Sequence, residues 1–85
     1  MISFEHTIGN QEGIHARPAG LLVRKAQGYR ADLQIKKNDK SADLKRLFAV
    51  LGLCVKQGEQ ISVTASGEDE QVASAELREY MQKNL

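Results

Sequence analysis

The sequence predicts an α+β fold, an open-faced β-sandwich in which three helices cover one face of a four-stranded antiparallel sheet in the order β-α-β-β-α-β-α. Three observations carry this. Short stretches alternate apolar and polar residues with the period of a strand, other stretches repeat apolar residues with the period of a helix, and Gly or Asn-Asp pairs punctuate them. The chain has 85 residues. A domain of that size buries only about 60 to 65 per cent of the surface its unfolded chain exposes, so one layered core over residues 1–85 is what it can hold.

Ile2, Phe4, His6 and Ile8 alternate with Ser3, Glu5 and Thr7, the pattern of a half-buried first strand. His6 shares the apolar parity, which predicts a partly buried, hydrogen-bonded imidazole. Ala16, Ala19, Leu22, Val23 and Ala26 then recur at helical spacing, with Arg24 and Lys25 turned away and Gly28 placed to end about three turns. Leu33 and Ile35 alternate with Asp32, Gln34 and Lys36 as a second strand. Asn38-Asp39 supplies turn chemistry before a short third strand at Lys40 to Asp43, so a hairpin is expected.

Leu44, Leu47, Phe48, Val50 and Leu51 are too dense for one buried stripe on a short helix ended by Gly52. Some of them must face solvent, either as a loosely packed helix or as a docking surface. After a Gln57-Gly58 turn, Ile61, Val63 and Ala65 alternate with Ser62, Thr64 and Ser66 to give the last strand. Glu68, Asp69 and Glu70 suit a helix start through its dipole, and Ala73, Leu77, Tyr80 and Met81 mark the apolar face of the final helix.

The residues with the most chemical content are Gly13-Ile14-His15-Ala16-Arg17-Pro18-Ala19. Gly13 permits a sharp turn, Pro18 suits a first helical turn that needs no amide donor, and His15 is then a candidate N-cap. Free amides at a helix start favour an anion, and Arg17 offers a charged grip on the same group. A phosphoryl group on His15 would meet Arg17 and the backbone amides of Ala16 and Arg17. Both the arginine and the helix start disfavour a charged imidazole nearby, which favours the nucleophilic form. The plainer alternative is an imidazole that only caps the helix and an arginine that is only solvated. Glu12 is either a group that repels the phosphoryl or an ordinary loop carboxylate.

Gly-Ile-His-Ala-Arg-Pro-Ala, Lys40-Ser41-Ala42 with Lys45-Arg46-Leu47-Phe48, and the run from Val63 to Glu70 together resemble the HPr family, the histidine-containing phosphocarriers of the bacterial sugar phosphotransferase system. The resemblance spans essentially the whole chain. It implies phosphorylation of His15 on Nδ1 by enzyme I, transfer to an enzyme IIA domain, and a non-enzymatic role as a stoichiometric carrier. It also implies a partner surface built from Leu47, Phe48, Leu51, Gly52 and Val55, with Arg24 and Arg46 beside it. Arg46 stands where members under HPr kinase control have a regulatory serine, and Ala49 where several have a lysine. A carrier of a nitrogen-related or other regulatory branch would need the same His15 chemistry. From a different class, a regulatory module that docks through Leu47 and Phe48 without carrying phosphate would need neither His15 nor Arg17.

Composition narrows the rest. Net charge is +1, but residues 1–57 carry ten Lys/Arg against five Asp/Glu, while residues 58–85 carry two against six. A basic front half can steer an acidic protein partner. Nucleic acid is not expected, because the few aromatic residues among those charges, Tyr29 included, form no stacking ladder. Cys54 is the only cysteine, which predicts a free, packed thiol, no disulfide and no zinc centre. With no apolar run of membrane length, no signal-peptide pattern and no phosphate-binding glycine loop, the expectation is a cytoplasmic monomer that inserts into no membrane and needs no metal or cofactor.

Overall fold

The computed structural model describes residues 1–14 and 16–85, so the N-cap expectation for His15 lies outside the described residues. The elements follow the expected order: β1 (Ile2–Thr7), α1 (Ala16–Ala26), β2 (Asp32–Lys37), β3 (Lys40–Asp43), α2 (Leu47–Leu51), β4 (Gln60–Ser66) and α3 (Glu70–Asn84). Strand parity decides which side chains reach the core. Leu33 and Ile35 of β2, Ala42 of β3, and Ile61, Val63 and Ala65 of β4 all point to one face and are buried there. The opposite face carries Ser3, Glu5, Gln34, Lys36, Ser62 and Thr64.

The sheet runs β1-β4-β2-β3 and every pairing is antiparallel. The register sets Phe4 opposite Val63 and Val63 opposite Ile35, so the apolar residues of three strands form continuous rows. Helices α1 and α3 close over this face with Ala19, Leu22, Val23 and Ala26 from one and Ala73, Leu77 and Met81 from the other. Each fully buried Val, Leu or Ile contributes about 1.5–3 kcal/mol, so the core rests on these rows. Asn38 takes a left-handed φ of 55° in the β2–β3 turn, a conformation asparagine tolerates better than most residues.

Four expectations are corrected. Cys54 is exposed rather than packed, because Leu53 and Val55 on either side take the inward positions and leave Cys54 pointing out. His6 is half-buried as expected, yet its Nε2 is buried without a hydrogen-bond partner among the described residues: strand parity turns it toward an apolar face. Ala16, placed on the buried stripe by its spacing, is exposed at the first turn of α1. Asp69 does more than match the helix dipole. Its side chain makes no cap bond to α3, and its two oxygens accept the backbone N–H groups of Arg30 and Ala31.

The connections are held by polar contacts at their ends. The Tyr29 hydroxyl donates to the Glu76 carboxylate, and burial, that bond and the nearby carboxylate charges push the phenol well above its ordinary range. Lys45 donates its ammonium to the Tyr29 carbonyl at 2.7 Å, while the Gln27 amide donates to the Lys45 carbonyl at 2.9 Å. These bonds tie the end of α1 to the approach of α2.

Candidate functional site

The loop before α1 is pinned at both ends. Gly9 and Asn10 donate their N–H groups to the Leu85 backbone oxygen at 2.6 and 3.0 Å. The Asn10 side chain accepts the Glu12 N–H at 3.1 Å, and its carbonyl accepts the Gly13 N–H at 3.0 Å, which rolls the chain into a tight turn. Ile14 then buries its side chain and donates its N–H to the Val55 carbonyl at 3.0 Å. Gly13 has φ 69°, and a Cβ on it would lie 2.3 Å from the Val55 oxygen. Only glycine lets the two segments approach this closely.

Helix α1 starts at Ala16. His15, the proposed phosphoacceptor, lies outside the described residues. Ala16 and Arg17 are both exposed in the first turn, where backbone N–H groups have no partner within the helix. Arg17 lines a shallow groove with Asn10, Glu12, Pro18, Leu21 and Asn84, so a cationic and an anionic side chain face the same space.

Phe48 is 85 % exposed on α2, and Leu47 and Leu51 are half-buried against the core. Gly52 is exposed at the end of this helix, while Val50 turns inward. The dense apolar run therefore divides as its excess required. Val55 does not belong with the surface residues: it is only 3 % exposed, because the chain after Cys54 turns back toward the core. Its backbone carbonyl, rather than its side chain, serves this region. Arg24 on α1 and Arg46 before α2 are exposed, and Arg46 lies 3.8 Å from Asp43 in a solvated ion pair.

Helices α1 and α2 pack against each other, which brings the two sequence segments into one region. Leu21, an apolar residue outside the sequence expectations for this region, is 56 % exposed and lines the groove with Arg17. A signal was available: Arg17, Leu21 and Arg24 follow i, i+4, i+7 spacing and lie out of phase with the buried stripe of Ala19, Leu22 and Val23. Among the described residues, no three His, Cys, Asp or Glu side chains group as a metal site, and no helix is long and apolar enough to cross a membrane.

Comparison with known proteins places this geometry in one lineage. The family described as PTS HPr component phosphorylation site matches residues 2–83. Phosphocarrier protein HPr of Lysinibacillus sphaericus is 41 % identical over 69 residues, covering 81 % of this chain and 78 % of that protein. Phosphocarrier protein HPr of Borreliella burgdorferi is 35 % identical over 82 residues, covering 96 % and 95 %. The crystal structure of an HPr from Thermoanaerobacter tengcongensis superposes with a TM-score of 0.94 at 30 % identity, covering 98 % of this chain and 93 % of that one. Sequence and fold agree over nearly the whole chain, which belongs to the HPr family of phosphocarrier proteins of the phosphotransferase system.

Proposed function

We propose that this chain accepts a phosphoryl group from phospho-enzyme I on Nδ1 of His15 and passes it to an enzyme IIA domain in cytoplasmic sugar uptake, working as a monomer and a stoichiometric carrier rather than an enzyme. The observation that carries this reading is the exposed Arg17 in the first turn of α1, two positions after His15 in the chain. In the forward step a P–N bond forms at Nδ1 as the donor's bond to phosphorus breaks, and the reverse logic delivers the group onward. The guanidinium of Arg17 and the free amides of Ala16 and Arg17 offset the charge on the transferring oxygens. Glu12, which lines the same groove, adds negative charge near the transferring group and so favours its onward transfer.

A carrier must also be recognised by large protein partners. Leu47, Phe48 and Leu51 supply an apolar centre with Gly52 at its margin, and Arg24 and Arg46 supply positive charge around it. Incubation with phosphoenolpyruvate and purified enzyme I, of the sugar type and of the nitrogen-related type in parallel, tests the proposal and its branch. One acid-labile phosphoryl group per chain is expected, faster with the sugar-type enzyme, and none in His15→Ala. Undiminished labelling of His15→Ala would refute it. Arg17→Ala should fold normally and transfer slowly, since a charged contact to phosphate is lost while the core is untouched.

A further inference from the structure

Lys37, the last residue of β2, is only 16 % exposed at its side chain and is folded back beneath the segment that leaves α2. Its ammonium donates to three partners, the Leu53 carbonyl at 3.1 Å, the Cys54 carbonyl at 2.8 Å and a Glu59 carboxylate oxygen at 3.0 Å. A lysine next to a surface turn ordinarily extends into water, so this arrangement is specific. The hydrogen bond from Lys37, followed by one from the Lys56 N–H, lowers the Glu59 carboxyl below its usual range and keeps it charged opposite the ammonium.

The segment so held is strained and sits next to the site. Cys54 has φ 54°, a left-handed conformation that is costly for a residue with a Cβ. The Lys37 ammonium grips the carbonyl of that residue. One residue on, the Val55 carbonyl accepts the Ile14 N–H and leaves no room for a side chain on Gly13. Residues 53–55 therefore have Lys37 on one side and the two residues preceding His15 on the other.

We propose that Lys37 is a positioning residue for phosphotransfer at His15, acting through the row of carbonyls on Leu53, Cys54 and Val55 that fixes Ile14. The proposal rests on the reading of His15 as phosphoacceptor. Without the ammonium, Cys54 can relax from its left-handed conformation, the Val55 carbonyl shifts, and the backbone leading into α1 loses its anchor. Partner docking, which uses Phe48 and its neighbours, is affected less than the transfer step.

Amide hydrogen exchange and single-turnover kinetics on the full chain test this together. Lys37→Met keeps the aliphatic stem and removes the donors. Protection of the Ile14 amide should fall about tenfold more than that of Ile35 and Val63, which report opening of the sheet. Lys37→Arg should retain most of the protection, and adding Cys54→Gly to Lys37→Met should restore it, because glycine adopts the left-handed conformation freely. With phospho-enzyme I, Lys37→Met should transfer about five- to tenfold more slowly while its Kd changes less than twofold. An equal loss of protection at all three amides, no loss at Ile14, or an unchanged transfer rate would each overturn the positioning role. If the parent chain accepts no phosphoryl group, the functional reading falls, and the exchange comparison still decides whether Lys37 holds Ile14.

Discussion

The Asp69 carboxylate accepts the backbone N–H of Ala31 at 2.7 Å, with its second oxygen on the N–H of Arg30 at 2.8 Å, and so ties the start of α3 to the approach of β2. The Arg30 bond first, and the Ala31 bond with it, lower the Asp69 carboxyl below its usual range. Glu59, Glu70 and Glu79 are lowered as well, by Lys37, by the Met1 amino group and by Lys83 respectively.

Acid stability follows from this set. A carboxylate with a lowered pKa binds its proton more weakly in the folded state than in the unfolded state, so protons favour unfolding. Stability from these groups is fully present above the ordinary carboxylate range, about pH 4, and is lost as pH falls through the lowered values. Chemical denaturation from pH 7 to pH 2 should show the midpoint steady above about pH 5 and falling below pH 4. Asp69→Asn should lower the midpoint at pH 7 and converge on the parent in acid, since an amide presents only one acceptor to two backbone donors. A constant gap between the two proteins down to pH 2 would show that the Asp69 charge contributes nothing.

Gly13→Ala should be among the most damaging single changes at the site. The left-handed φ alone costs a residue with a Cβ about 1–3 kcal/mol, and displacing the Val55 carbonyl adds to it. The melting temperature should drop and transfer through His15 should slow. A folded variant with parental stability would mean that the two loops separate easily.

Phe48→Ala separates docking from packing. An 85 % exposed side chain contributes little to the core, so thermal stability should hardly change. Affinity for enzyme I or enzyme IIA should fall by about 1–3 kcal/mol, the range for an aromatic anchor in a protein interface. Titration calorimetry paired with thermal melting reads both; lost stability with intact affinity would assign Phe48 to the fold instead.

Arg46 should make association dependent on salt. Its guanidinium is exposed and only weakly paired with Asp43, so its charge reaches an approaching acidic partner. Arg46→Glu should slow association with enzyme I most at low ionic strength. Arginine cannot take a phosphoryl ester, so HPr kinase and ATP should add no mass to the chain. Modification of Ser41 would refute that insensitivity, and an unchanged association rate would remove Arg46 from the docking surface.

Much of this architecture is legible from local pattern. Alternation in 2–8, 32–36 and 61–66 determines which faces are buried, and the helical spacing of Leu22, Val23 and Ala26 or of Ala73, Leu77 and Met81 determines where helices lie, because burial follows period in both cases. The glycine before Ile14 and the excess of apolar residues around Phe48 are likewise visible in the chain itself.

What the tertiary structure alone decides is how distant backbone segments meet. Val55 and Cys54 read from sequence as a surface candidate and a packed thiol, and they exchange those places because the loop after α2 turns by a left-handed residue. Asp69 finds Arg30 and Ala31, Lys37 finds the Leu53 and Cys54 carbonyls, and the His6 Nε2, which parity turns inward, meets no hydrogen-bond partner among the described residues. None of these follows from periodicity, since a period reports which side of an element faces inward but not which backbone amide or carbonyl a polar group will meet there.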